Sequence, residues 1–194
     1  MRHEGSLPSD YFERMFEDSA DPWAFETSDY ERAKYDATIA ALNGRRYEAA
    51  LEVGCANGVM TERLAGCCDA LVAVDVSETA LQRARARLKS KAHITFERRS
   101  LPNERPEGGP FDLILLSEVA YYWDRGDLSK AADYLASASR EGADLLLVHW
   151  TGETDYPLTG DEAAEGLIER LSGVFRIERQ RAEPEYRLDL LRRG

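Results

Sequence analysis

The residues best suited to chemistry fall in one octapeptide and one acid downstream of it. In Leu51-Glu52-Val53-Gly54-Cys55-Ala56-Asn57-Gly58 an apolar run ends in a carboxylate, then turns through glycine into a helical stretch. Glycine at 54 permits a tight turn that a ligand can approach closely. A helix starting near Asn57 would present free N–H groups at its positive end, which suits a phosphate or the carboxylate of an amino-acid tail. Ala56 and Val59 stand where a GxGxxG fingerprint needs its second and third glycines. The close backbone contact that a dinucleotide pyrophosphate requires is therefore missing, which argues against a nicotinamide-dependent reductase. Glu52 instead offers negative charge to an ammonium. The second signal, Val72-Ala73-Val74-Asp75-Val76-Ser77, follows about 20 residues on. An ionised carboxylate there can accept from both hydroxyls of a ribose. A strand-end Asp often serves as a cap, but Ser77 already fills that role for the segment after it. Bend and acid on consecutive strand ends point to a nucleoside.

Those positions make sense only if short strands deliver them. EAALEV, ALVAVD, HITFE, FDLILLS and ADLLLVHW read as strands, separated by the helical stretches NGVMTERLAG, SETALQRARARLK and LSKAADYLASASR. Uninterrupted apolar runs such as LILL and LLLV are expected when helices cover both faces of a parallel sheet. The tail differs: a helix GDEAAEGLIERLSG, then VFRIERQRAE and PEYRLDLLRR around Pro184, which suit an antiparallel hairpin at the sheet edge. The front of the chain predicts two helices. Ser9 would cap residues 9–18. Ser28 would cap DYERAKYDATIAAL, whose Tyr30, Ala33, Ala37, Ala40 and Ala41 share a face ending at Asn43-Gly44. The expected fold is α/β: a Rossmann-like, doubly wound, mostly parallel seven-stranded sheet with an antiparallel C-terminal hairpin. It forms one domain over 1–194, with residues 1–44 a helical lid and 45–194 the core.

Composition narrows the partners. The chain has 194 residues, 43% hydrophobic and 31% charged, the balance of a globular protein. A formal charge of -11 disfavours nucleic acid. The basic stretch Arg83, Arg85, Arg87, Lys89, Lys91, Arg98 and Arg99 runs against that trend and reads as a solvated face or a dock for an acidic group. No apolar run suits a bilayer and the N-terminus lacks a signal-peptide core, so a cytoplasmic monomer or homodimer is expected, with no membrane partner. Cys55, Cys67 and Cys68 form no metal-binding spacing, and His3, His93 and His149 are scattered, so no metal is expected.

The motifs resemble a known family. Glu52–Gly58 is similar to the first motif of class I S-adenosylmethionine (SAM)-dependent methyltransferases, Asp75 to their ribose-binding acid, and Phe111–Val119 to their fourth-strand motif. The resemblance implies SAM as cofactor and S-adenosylhomocysteine (SAH) as product. It assigns Gly54, Cys55 and Ala56 to the methionine tail, with Glu52, Asn57, Gly58 and Ser117 completing that end, and Asp75 and Val76 to ribose and adenine. Ser100 and Leu101 would pass the adenine edge, where the family often has an acid. A narrower similarity covers the chain to about residue 123. Tyr11-Phe12, Asp21-Pro22-Trp23-Ala24-Phe25, Tyr30-Glu31, Lys34-Tyr35 and Ser117–Tyr122 resemble nodulation protein S-like methyltransferases, which N-methylate the free amine of a deacetylated chitooligosaccharide. The similarity fades after the fifth strand.

The resemblance implies a methyl transfer, an in-line displacement that needs alignment, exclusion of water and, for an amine, a group to take its proton. Strand ends would bring Glu52, Asp75, Glu118 and His149 to one rim. Glu118, Tyr121 and His149 are the expected catalytic residues. His149 is drawn in by an ordinary pKa near neutrality, against the competing reading of a strand-end histidine bonded to a loop. Tyr11, Trp23, Tyr30, Tyr122 and Trp150 are expected to bind the acceptor, since aromatic faces suit both a sulfonium and a sugar. The expected acceptor is a small molecule carrying an amine, such as an amino sugar. A hydroxyl or carboxyl acceptor and a non-catalytic SAM-binding protein are the alternatives.

Overall fold

Alternate residues of the central strands go to opposite cores, and that division sets the architecture. Ile114 and Leu116 pack with Leu145 and Leu147 against one layer of helices, whereas Leu113 and Leu115 pack with Leu146 and Val148 on the other side. Such runs are buried on both faces, as in helix-covered parallel sheets. The computed structural model describes residues 2–194. Its elements run α1 (Ser9–Asp18), α2 (Asp29–Ala41), β1 (Tyr47–Val53), α3 (Val59–Leu64), β2 (Cys68–Asp75), α4 (Glu78–Arg87) and β3 (Ile94–Arg98). They continue with β4 (Phe111–Ser117), a 3-10 turn (Ala120–Tyr122), α5 (Arg125–Ala138), β5 (Ser139–Trp150), α6 (Gly160–Leu171), β6 (Phe175–Ala182) and β7 (Tyr186–Arg193).

The seven strands lie in the order β3-β2-β1-β4-β5-β7-β6. Strands β1 to β5 pair in parallel, while β7 inserts antiparallel between β5 and β6. The expected doubly wound sheet with its antiparallel C-terminal pair is the observed fold. The winding reverses between β1 and β4, which opens a crevice at their carboxyl ends. No helix among the described residues is long and apolar enough to cross a membrane.

Three local expectations are corrected. Ser9 does not cap α1: Pro8 holds that position without a side-chain bond, and the Ser9 hydroxyl instead reaches Ser100 Oγ at 3.4 Å. Helix α2 starts under its Ser28 cap as expected, but turns inward Glu31, Lys34, Tyr35, Thr38 and Ala41, leaving Ala33 and Ala40 exposed. Charged residues can face inward because Glu31 and Lys34 pair across one helical turn and the Thr38 hydroxyl donates to the Lys34 carbonyl. Finally, α3 is only 6 residues long and begins at Val59, after a left-handed Gly58.

Candidate active site

Four strand-end segments meet the N-terminal region around a cavity of about 570 Å³. Val53, Gly54 and Ala56 line it after β1, and Asp75 and Val76 after β2. Ser100 and Leu101 enter from the segment after β3, and Ser117, Glu118 and Val119 after β4. Residues Ser6–Ser9, Phe12 and Phe16 cover it from the front, with Trp23 and Phe25 beside them. Tyr30, Glu31 and Lys34 of α2 complete one wall; Tyr121, Tyr122, Trp150 and Tyr156 form another.

The bend after β1 is built by backbone conformations that side chains resist. Gly54 has φ +78°, and a Cβ there would overlap Val119 Cγ2. Its lack of a side chain therefore serves the packing of the β4 loop as well as access to the cavity. Ala56 takes φ 48°, held by its N–H donating to Asp75 Oδ2 at 2.8 Å. Asp75 Oδ1 accepts from the Ser77 N–H at 2.9 Å. The carboxylate thus ties the two expected motifs together, and each oxygen keeps further acceptor capacity. Burial pushes the Asp75 carboxyl above its usual value, while these backbone donors draw it back down.

Several expected site residues lie behind the wall. Cys55, Asn57 and Gly58 do not line the cavity. Cys55 is packed with Ala73 and Leu81, and the Asn57 amide donates to Asp21 Oδ1 at 3.4 Å and Glu26 Oε1 at 3.3 Å. Gly58 leaves room for Ala84 of α4. Glu52 sits one residue below the strand end, buried inside the sheet rather than on the rim. Burial pushes its carboxyl to about 7, with the Thr61 hydroxyl pulling the other way.

His149 does not reach the rim either. It is fully buried behind Tyr121, ring centroids 5.6 Å apart, and its Nε2 accepts the Ala120 N–H at 3.2 Å. Burial lowers it to about 4, so the ring is neutral. A group bonded in this way and out of contact with the cavity cannot take the acceptor's proton; the strand-end histidine bonded to a loop is the reading that holds. Tyr11 stays outside the cavity at 36% exposure. Trp23, Tyr30, Tyr122 and Trp150 do line it.

Glu118 lies on the wall with φ 57°, and three donors hold it. Lys34 Nζ reaches Oε1 at 2.6 Å; the Tyr121 hydroxyl, at 2.6 Å, and the Trp150 N–H, at 2.9 Å, reach Oε2. Burial presses the Lys34 ammonium down, but Glu118 and Glu31 carry it above the usual lysine range. Sequence reasoning did not select Glu31 and Lys34 as site residues. The available signal was their i, i+3 spacing, which puts opposite charges on one helix face.

The aromatic wall is continuous. Tyr121 stacks on Tyr156 at 5.4 Å and meets Tyr122 edge-on at 4.6 Å, while Phe12 meets Tyr122 at 4.8 Å. In the covering segment, Phe16 and Trp23 lie 5.6 Å apart and Trp23 stacks on Phe25 at 5.5 Å. The basic stretch fastens this cover. Arg83 donates to the Ser19 and Ala20 carbonyls, and Arg87 to the Asn57 carbonyl and to Glu26. Glu13 of α1 accepts from the Thr79 hydroxyl at 2.6 Å.

Comparisons with known proteins identify the chain's relatives. The family model described as Nodulation protein S (NodS) matches residues 9–147. Nodulation protein S of Bradyrhizobium diazoefficiens is 39% identical over 109 residues, covering 53% of this chain and 49% of that protein. The Rhizobium tropici protein is 36% identical over 111 residues, covering 57% and 45%. The chain thus spans about half the length of the curated relatives it matches. Among solved structures, the N-methyltransferase NodS from Bradyrhizobium japonicum in complex with SAH shares the fold, with TM-score 0.81 and 23% identity over 96% of this chain and 98% of that one. A Pseudomonas syringae structure has TM-score 0.72 and 38% identity over 84% of this chain and 99% of that one. With most of its length, including the bend, Asp75 and the Glu118 loop, inside the matched region, this chain belongs to the Nodulation protein S family.

Proposed function

We propose that this protein is a SAM-dependent N-methyltransferase acting on a small molecule that carries an amine, with amino sugars as the first acceptor class. The observation that carries this reading is one cavity in which the Gly54 bend, the Asp75 carboxylate and an aromatic wall meet. Family membership supports it, and the N-methyltransferase NodS of Bradyrhizobium japonicum shares the fold.

The residues present fit the cofactor. Gly54 and Ala56 provide a cradle without bulk, Asp75 has acceptor capacity left for ribose hydroxyls, and Val76 and Leu101 offer apolar contact to an adenine. Ser100, which lines the cavity, would offer its hydroxyl to the purine, and Ser117 would lie at the amino-acid end. When bound, SAM supplies a methyl group on a sulfonium whose departure as a neutral thioether needs no protonation.

The chain's own work is then alignment and exclusion of water. We read residues 1–44 as a lid over the core 45–194, because Phe12, Phe16, Trp23 and Phe25 line the cavity. Trp23, Tyr122, Trp150 and Tyr156 would hold the acceptor's apolar faces, while Tyr30 and Tyr121 stand beside the charged wall of Lys34 and Glu118. Glu118, with both oxygens bonded, fixes Tyr121 and the β5 end and adds negative charge for a cationic acceptor.

Incubation with SAM and deacetylated chitooligosaccharides, followed by mass spectrometry, tests the reading. A product heavier by one CH₂ is expected. No product across a broad panel of amines, with ester or ether formation instead, would move the acceptor to a carboxyl or hydroxyl.

A further inference from the structure

Helix α2 and the β4 loop bury an uneven set of charges beside the cavity. Lys34 is 2% exposed and faces two carboxylates, Glu31 Oε1 at 2.9 Å and Glu118 Oε1 at 2.6 Å. One ammonium against two carboxylates leaves a negative charge without a counterpart, an arrangement that is costly away from water unless a cation arrives. Glu118 has its second oxygen occupied by the Tyr121 hydroxyl and the Trp150 N–H. Glu31 does not: it is 8% exposed, and its Oε2 is buried without a hydrogen-bond partner. The neighbouring Tyr30 hydroxyl is in the same condition. Both residues line the cavity.

We infer that Glu31 receives the acceptor amine: its free oxygen pairs with the acceptor's ammonium and takes one proton from it, and the Tyr30 hydroxyl makes the second contact. This assignment rests on the methyl transfer proposed above. The protonated amine gives its proton to the Glu31 carboxylate and becomes nucleophilic. Its lone pair forms the new N–C bond while the C–S bond breaks, and that electron pair stays on sulfur. The product leaves as a methylated ammonium, and Glu31 returns its proton to water. The groups facing Glu31 are Tyr30, Lys34 and Tyr35 on its own helix and Glu118 from the β4 loop; Lys34 and the Tyr35 hydroxyl draw its carboxyl down, and Glu118 pushes it up. Burial lifts the Glu31 carboxyl above its usual value, with Lys34 opposing, which makes it a stronger base than a surface glutamate.

The test uses the full chain with SAM and deacetylated chitotetraose, comparing wild type, Glu31→Gln and Glu31→Asp. Glutamine keeps an oxygen for Lys34 and cannot take a proton. Glu31→Gln is expected to lower kcat/KM for the amine by about 100-fold, the usual loss of a positioned base. The residual activity should rise with pH as solution supplies free amine. SAM affinity by calorimetry should stay within about twofold of wild type while chitotetraose binding to the SAH complex weakens, and Glu31→Asp should restore part of the rate. Should Glu31→Gln fail to fold, Glu31→Asp reads the same ratio: a reduced amine rate with unchanged SAM affinity supports the assignment, and a wild-type rate overturns it. Wild-type turnover by a folded Glu31→Gln protein would overturn it, and so would a loss confined to SAM affinity, which would give the site to the cofactor's own amine. A wild-type protein that methylates no amine would sink the functional reading itself and this assignment with it; an active wild type with an indifferent Glu31 sinks the assignment alone.

Discussion

Asp75 joins the ends of β1 and β2 through one side chain at the cavity wall. Its oxygens hold the Ala56 and Ser77 amides, so they fix the bend while facing the cavity. Asp75→Ala is expected to weaken SAM binding by roughly 1–3 kcal/mol, the usual loss for a charged hydrogen-bonding group. Calorimetry on a protein checked for folding reads the change, and an unaltered Kd would contradict the assignment. Glu52 differs because it lies off the cavity. Its carboxyl holds its proton to about 7 in the fold, against 4.5 for an unperturbed glutamate. Between those two pH values the unfolded chain has lost a proton that the folded one keeps, so stability falls as pH rises through that window and stays low above it. His149, neutral in the fold down to about 4, acts in the opposite sense: its contribution rises with pH up to the ordinary histidine value of 6.5. Glu52→Gln should remove the first slope. Relative to wild type it is expected to gain on the order of 3 kcal/mol between pH 4.5 and 8, read by urea unfolding across pH. Parallel profiles for the two proteins would show that Glu52 is not a buried acid.

Elements decide which of these residues meet. The bend and Asp75 were legible from sequence because their causes are local: glycine where φ is positive, an acid where a parallel strand ends. The inward face of α2 was not. Its alanines suggested an apolar stripe, whereas Lys34 is buried by a bond to Glu118, 84 residues away, which no helical period announces. His149 and Glu52 were misplaced for a related reason. Strand order puts both near the right edge of the sheet, but depth below that edge depends on how the following loop folds over it. Gly54→Ala tests the packing at that edge, since a Cβ would collide with Val119 and the residue would sit at φ +78°. Overpacking together with left-handed strain should cost about 2–5 kcal/mol. Adding Val119→Ala should recover the packing part and leave about 1–2 kcal/mol; no recovery would show that the clash is not the cause. Residues 19–26 are tied to α4 by arginines. Replacing Arg83 and Arg87 with Ala removes their bonds to the 19–20 carbonyls, Asn57 and Glu26, each worth about 1 kcal/mol. Hydrogen exchange over residues 19–26 should accelerate while the sheet stays protected; equal exchange would mean the lid is held elsewhere.

At the scale of the molecule, the reversal of strand order between β1 and β4 creates the opening, and the N-terminal region closes over it. In the proposed function, the sheet would supply groups for a nucleoside, while α2 and the aromatic wall would supply charge and shape for an acceptor. The chain spans about half the length of its curated relatives, and the family model ends at residue 147 within β5, whereas the fold shared with the Bradyrhizobium japonicum structure covers 96% of this chain. We expect the β1 bend and Asp75 to grip one adenosyl amino acid from two ends. A crystal structure with SAH bound tests it most directly. Ribose hydroxyls are expected on Asp75, the amino-acid tail against Gly54 and Ala56, and the sulfur opening toward Tyr30, Glu31 and Tyr121. SAH bound outside the crevice, with Asp75 contacting only the Ala56 and Ser77 amides, would contradict it.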